Sequence, residues 1–352
     1  MRRRTVKEKD KKYCMSSYLA FRYIEREDMD FYEDFHHEMI KPVPDEEKTY
    51  ISGSENIDSA VTRVFNGLKG KKLGLLLSGG MDSAILASYM RGCDAFTFRF
   101  LGGTFQKEEL ARAEFYAKQY ELNLHYIDID WHTVKVGLNP VMKRKKAPVH
   151  SIEPQLYQAA VYAKSQGVEH LIVGASSDLI FGGMDQLLAQ DWTFGDFMNR
   201  YIFIKPEKVL KYSENVAYLF ERYRRGEKID YQKFLKEVSL VECSGAYWNS
   251  FAAAGIPYTD PYVKLEMSKP LDLHRIRHGE SKYLIRELFR KKYPGIPVPD
   301  KIPMPRPVDT YFKDWKGPER QEFKENLNIE QFTGNQKWQL FCLEQFLNLC
   351  EQ

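Results

Sequence analysis

One hexapeptide, Ser78-Gly79-Gly80-Met81-Asp82-Ser83, constrains this chain more than any other feature. It follows a continuous apolar run, Leu73 to Leu77, the pattern of a strand buried on both faces. It precedes Ser83 to Arg91, whose apolar spacing is helical. Two adjacent glycines lack a Cβ, so the backbone between strand and helix can turn sharply and approach an anion. The helix start offers unsatisfied N–H groups and the positive end of its dipole to a phosphate. Ser78 and Ser83 add hydroxyl donors. Asp82 would repel phosphate unless a cation lies between them, so it reads as a Mg²⁺ ligand. The bland alternative is a tight turn whose helix is capped by Asp82 or Ser83. The complete hexapeptide in a strand–turn–helix setting favours the phosphate cradle. The segment is neither a Walker A loop nor a GxGxxG fingerprint.

The surrounding segments alternate in type. Ile57 to Leu68 reads as an amphipathic helix ended by Gly70. Ala95 to Phe100 is a strand, Lys107 to Tyr120 a helix and Leu124 to Ile129 a strand. A loop with a basic run, Lys143 to Lys146, separates these from a helix over Pro154 to Gln166 and a strand over His170 to Gly174. Such alternation predicts an open α/β fold with a parallel sheet and right-handed crossovers. Ligands bind such sheets outside the carboxyl ends of the strands. Beyond about residue 185 the strand signal fades into a mostly helical pattern. The expected organisation is therefore an N-terminal extension over 1–70, a nucleotide-binding core over 71–185, and a helical part over 186–352 that completes the site.

A second acidic loop, Val173 to Met184, closes the last of these strands. Asp178 stands beyond the strand's carboxyl end, as Asp82 does. Two such carboxylates can share Mg²⁺ bridging a triphosphate, and neutralise charge on departing pyrophosphate.

The SGGxDS hexapeptide resembles the signature of the PP-loop ATP pyrophosphatases. With the second loop, the chain resembles the synthetase domain of the asparagine synthase family. Gly174, Ser177, Asp178, Phe181, Gly182 and Gly183 fit that family's second motif, and the likeness runs from about Tyr18 to Trp315. Ser17 to Tyr23 resembles the segment that precedes the synthetase domain. The resemblance implies a PP-loop (adenine nucleotide α-hydrolase-like) fold, with ATP and Mg²⁺ as cofactors. It implies nucleotide contacts at Ser78, Gly79, Gly80, Asp82, Ser83, Gly174 and Lys282, and metal contacts at Asp82 and Asp178. The implied reaction adenylates a carboxylate, which an amine then attacks to form an amide. Lys301, in Pro299 to Arg306, matches the family's catalytic lysine loop, where a cation stabilises the transition state. Lys282 and Arg286 match a K-x-x-x-R element expected on one helix face. Glu242 is the candidate for a substrate base, by analogy with the β-lactam branch. Asp260 reads as structural, and Glu153 as either a substrate contact or a helix cap. Side chains around Glu153, Trp192 and Tyr247 suggest a pocket with polar and aromatic walls.

Two positions depart from the family. Asparagine synthetases carry Glu where this chain has Ala175 and again where it has Leu179. Alanine cannot move a proton, which argues against simple ammonia-dependent asparagine formation. The β-lactam and carbapenam synthetases also replace the first Glu, but with Tyr. Three readings follow: an amide ligase using an external amine, a ligase closing a ring within one substrate, or an ATP-binding regulator without catalysis.

Composition removes other classes. No apolar run is long enough for a membrane span, and the basic N-terminus (Arg2, Arg3, Arg4, Lys7, Lys9, Lys11, Lys12) lacks the apolar stretch of a signal peptide. That run reads as a frayed, solvated tail. A net charge of +3 is too small to argue for nucleic acid. The five cysteines include no CxxC pair, which argues against disulfides, a zinc site or tRNA thiolation and points to the cytoplasm. The segment before the phosphate loop is too short for a glutaminase domain, and the first cysteine is Cys14. The expected amine is therefore free ammonia, a substrate's own amine, or ammonia passed on by a separate donor or carrier protein.

Overall fold

The computed structural model describes residues 8–33, 35–101, 106–302 and 306–351. Five strands, β1 (Leu73–Leu76), β2 (Asp94–Phe100), β3 (Asn123–Ile129), β4 (His170–Ile172) and β5 (Tyr258–Thr259), form one parallel sheet in the order β5-β4-β1-β2-β3. Leu73 lies opposite His170, Gly74 opposite Asp94, and Asp94 opposite Asn123. Successive strand residues point to opposite faces. Leu75, Ala95 and Ile172 accordingly enter one apolar cluster, while Phe96, Leu171 and Val173 enter the other.

Helices cover both faces. α1 (Lys11–Phe21), α5 (Trp131–Lys145), α6 (Glu153–Ser165), α8 (Leu240–Ala254) and α10 (Gly334–Cys350) feed the second cluster. α2 (Ser54–Gly67), α3 (Met81–Ala87), α4 (Lys107–Gln119), α7 (Phe194–Tyr201) and α9 (Tyr283–Lys292) feed the first. Both clusters draw on residues from before, within and after the sheet core. A short parallel pairing of Thr49–Ile51 with Leu265–Met267 adds a further tie between distant stretches.

The chain winds from β1 to β2 to β3 in one direction, then returns to add β4 and β5 on the other side of β1. The winding reverses between β1 and β4. The crevice at their carboxyl ends is where an open α/β sheet binds its ligand. Asp82 stands in the first turn of α3, just after β1, and Asp178 in a single helical turn, Ser177–Ile180, just after β4.

Three expectations need correction. The basic run Lys143 to Lys146 is not in a loop: α5 extends to Lys145 despite Pro140, and Lys146 ends it in the left-handed conformation (φ 55°). Asp130 caps α5 by accepting from the Thr133 N–H at 2.7 Å, and cationic residues in the last turn suit the dipole there. Lys9, Lys11 and Lys12 do not fray. Asp10 caps α1, Lys11 pairs with Glu322 and Glu351, and Lys12 pairs with Glu214. Arg2, Arg3, Arg4 and Lys7 lie outside the described residues. Lys282 is not a helical partner of Arg286. It precedes α9 in the left-handed conformation (φ 53°), while the Arg286 Nε donates to the Ser281 carbonyl at 2.7 Å.

Candidate active site

The glycine turn after β1 is held by its own serines. The Ser78 and Ser83 hydroxyls are 2.9 Å apart, and the Gly80 N–H donates to the Ser78 Oγ at 3.1 Å. Gly80 has an ordinary extended backbone (φ −86°, ψ 156°). Gly79 is required for a different reason: a Cβ there would lie 2.7 Å from the Glu109 carbonyl oxygen in α4. The turn is therefore pressed against a helix as well as open towards a ligand. Burial pushes the Glu109 carboxyl up, although the Gly79 N–H favours its charged form.

Asp82 and Asp178 are brought together by one ammonium group. The Lys282 Nζ lies 2.6 Å from the Asp82 Oδ2 and 2.7 Å from the Asp178 Oδ1. The Lys301 Nζ lies 2.8 Å from the Asp178 Oδ2 and donates to the Gly183 carbonyl at 2.6 Å. The Ser177 hydroxyl donates to the Asp82 Oδ1 at 2.6 Å. Burial opposes charge on Lys282, but Asp82 and Asp178 outweigh it and raise its pKa. Burial likewise opposes charge on Asp178, and Lys282 with Lys301 overcomes it, so this carboxyl is held below its usual range. Glycine is demanded beside them. A Cβ on Gly183 would come 2.4 Å from the Asp178 Oδ1 and 2.8 Å from the Lys282 Cδ. Gly174 is wedged similarly, with Tyr262, Leu86 and Asp82 atoms 3.2–3.5 Å from where its Cβ would be.

Three cavities meet at Ala175. The first, about 170 Å³, holds Ser78, Asp82, Ser83, Glu109 and Gly174 below the ends of β1 and β2. The second, about 280 Å³, contains Asp178, Glu242, Arg22 and Arg200. The third, about 470 Å³, is mostly apolar and lies between α8 and the strand β5. Glu242 is not free: its carboxylate pairs with the Arg22 Nε at 3.3 Å and lies 3.8 Å from the His150 Nε2.

The sequence pattern of the asparagine synthase family matches residues 56–245, more than half of the chain. The chain belongs to the asparagine synthase family. No curated protein matches it. Among solved structures, a U34-tRNA thiolase, NcsA from Methanococcus maripaludis with its 4Fe–4S cluster, aligns at 15% identity over 70% of this chain and 82% of its own, with a TM-score of 0.25.

For an asparagine synthase family member, the match places the chain in the ATP-dependent class of PP-loop enzymes. It includes the loops bearing Asp82 and Asp178, while Lys282 and Lys301 lie beyond it and reach the same point through the fold. Not every residue singled out from the sequence is there. Glu153 is fully buried, paired with the Lys145 Nζ at 2.8 Å and bonded to Asn249 at 2.7 Å, and it lines none of these three cavities. Trp192 packs on Phe197 and donates to the Leu187 carbonyl. Tyr247 does line two of the three cavities. Glu109 escaped sequence reading, and Ser177 and Arg306 were read only as parts of motifs, without a role. Ser177 was legible as a match to the second motif, but not as the donor to Asp82. Arg306 has its guanidinium pKa lowered by burial and by Arg22, and its recorded partner among the described residues is the Ser151 hydroxyl, not a carboxylate. No helix among the described residues is long and apolar enough to cross a membrane.

Proposed function

We propose that this protein is an AMP- and pyrophosphate-forming carbon–nitrogen ligase, which adenylates a carboxylate for attack by an amine. The observation that carries the reading is the convergence of Asp82, Asp178, Lys282 and Lys301 at the winding switch point beside the serine–glycine turn. Binding a triphosphate demands donors on a close-packed turn, and releasing pyrophosphate demands positive charge near it.

The donor set fits Mg²⁺. That ion is ordinarily held by one or two carboxylates together with substrate phosphates. Asp82 and Asp178 converge and remain a fifth and a third exposed. When bound, the ion would neutralise the phosphates and the departing pyrophosphate. Ser78, Gly79, Gly80 and Ser83 would seat the pyrophosphate end, with Gly174 leaving room beside it. Lys282 and Lys301 would carry positive charge to the phosphates, and Lys301, on the more exposed loop, would follow charge onto the reacting centre. Glu242 stands across Ala175 from the nucleotide cavity, where Arg22 fixes its carboxylate. In this position it orients a substrate rather than acting as a free base. Arg306 and Arg200, which form no recorded carboxylate pair among the described residues, favour an anionic substrate nearby.

Separate cavities on either side of Ala175 favour two substrates over ring closure within one. The test is ATP–pyrophosphate exchange with Mg²⁺ and a panel of carboxylates. Carboxylate-dependent exchange is expected, and its absence with every acid, despite tight ATP binding, would favour a nucleotide-binding regulator.

A further inference from the structure

The largest of the cavities at Ala175 has no counterpart in a reaction that consumes ammonia. Its walls are apolar: Ile40, Pro42, Val43, Leu240, Val241 and Val263. At about 470 Å³ it has the size of a small-molecule site, far beyond what one nitrogen needs. Its polar groups are incompletely used. Ser176 and Ser244 are both more than nine-tenths buried; the Ser176 hydroxyl lies against the Asp260 carboxylate, while the Ser244 hydroxyl has no hydrogen-bond partner among the described residues. Buried hydroxyls are normally paired, so the unpaired Ser244 hydroxyl marks where a ligand supplies the partner. The buried charge in the cavity wall is negative. Asp260 accepts from the Ser176 and Tyr262 N–H groups at 2.7 and 3.0 Å and keeps further acceptor capacity. Lys41 and Lys264 stand exposed at the rim, engaged by Glu27 and Glu47. A carboxylate would meet like charge inside, whereas an ammonium would meet Asp260 and two hydroxyls.

We propose that this cavity seats a primary amine with an apolar body and delivers its nitrogen to the acyl-adenylate beside Ala175. The inference rests on the ligase reading and names its second substrate. The ammonium sheds one proton to water, and the neutral nitrogen attacks the carbonyl carbon. A C–N bond forms, the C–O bond to the adenylate breaks, AMP leaves with the electron pair, and the nitrogen gives its second proton to water. The small side chain at 175 keeps the passage between cavity and nucleotide open, where a glutamate would obstruct it.

The test is calorimetric binding of methylamine, n-butylamine and n-butanol to the full chain with ATP and Mg²⁺ present. Burying three further methylenes should tighten n-butylamine over methylamine by roughly fiftyfold, at about fourfold per methylene. n-Butanol should bind at least tenfold more weakly than n-butylamine, since it lacks the charge. Val263→Trp should fill the cavity and abolish the chain-length preference while ATP still binds. Should that variant fail to fold, the wild-type series decides. Equal binding of methylamine and n-butylamine, or of the alcohol and the amine, overturns the proposal. Exchange of ATP with pyrophosphate needs no amine, so exchange without chain-length preference would refute this inference and leave the ligase reading intact.

Discussion

Replacing Lys282 by methionine removes the cation that, among the described residues, touches both acids. Its side chain is about 5% exposed, with Asp82 and Asp178 at 2.6 and 2.7 Å. Breaking a buried pair by deleting one partner costs about 3–5 kcal/mol, because the other charge stays desolvated. Partial exposure of both acids, and Lys301 on Asp178, place the expected loss at the low end, about 3 kcal/mol. The raised pKa of Lys282 means its contribution is complete below 10.5 and lost as pH rises through the folded value. The lowered pKa of Asp178 means its contribution is present above 3.8 and lost as pH falls through the folded value. The pair therefore stabilises across the whole neutral window. The assay is urea unfolding at pH 7.5 in EDTA, repeated with MgCl₂. Lys282→Met should lose about 3 kcal/mol in EDTA and regain part of it with Mg²⁺, which can sit between the bared acids. Adding Asp82→Asn should recover about 1 kcal/mol, as coupled neighbours do. A Lys282→Met protein as stable as wild type in EDTA would refute the argument.

Other outcomes follow from the same geometry. Asp82→Asn should lower ATP–pyrophosphate exchange by on the order of 10²–10³ with an unchanged circular dichroism spectrum; full activity would remove Asp82 from the nucleotide site. Lys301→Ala should slow exchange by on the order of a hundredfold while changing stability by less than about 1 kcal/mol, since its side chain is largely solvated; urea unfolding beside the exchange assay separates the two effects. Gly183→Ala should cost about 1–3 kcal/mol and reduce exchange, because its Cβ would drive Asp178 and Lys282 apart; a neutral result in both measurements would show that the segment yields.

The sheet core was readable because its strands are short, apolar and separated by long helical spacers. β1, β2 and β3 fall within a residue of expectation, and β4 lacks only its last two expected residues. β5 was not readable. Two residues pairing along an edge carry no periodicity, and only the distant partner β4 makes Tyr258–Thr259 a strand. The loop expected at Lys143 is instead the last turn of α5, a helix that tolerates Pro140 in its interior. Asp82 and Asp178 could be picked out because chemistry made carboxylates odd beside a phosphate loop. Their shared lysine was legible as a motif residue, but not its route: a left-handed residue before α9 turns the side chain inwards. The orphaned hydroxyl of Ser244 left no trace in sequence, because an unpaired group is a property of the packed chain.

β5 has a consequence for how the protein is made. The Leu171 and Val173 N–H groups donate to Pro257 and Thr259 carbonyls at 3.0 and 3.1 Å. A nascent chain that has emerged only to residue 185 has its phosphate turn and both acid loops, yet β4 still presents a bare row of donors and acceptors. Such rows pair readily with other chains. Translation must therefore carry past residue 259 before the sheet is sealed, and a fragment released at 185 is expected to stick to its own kind along β4.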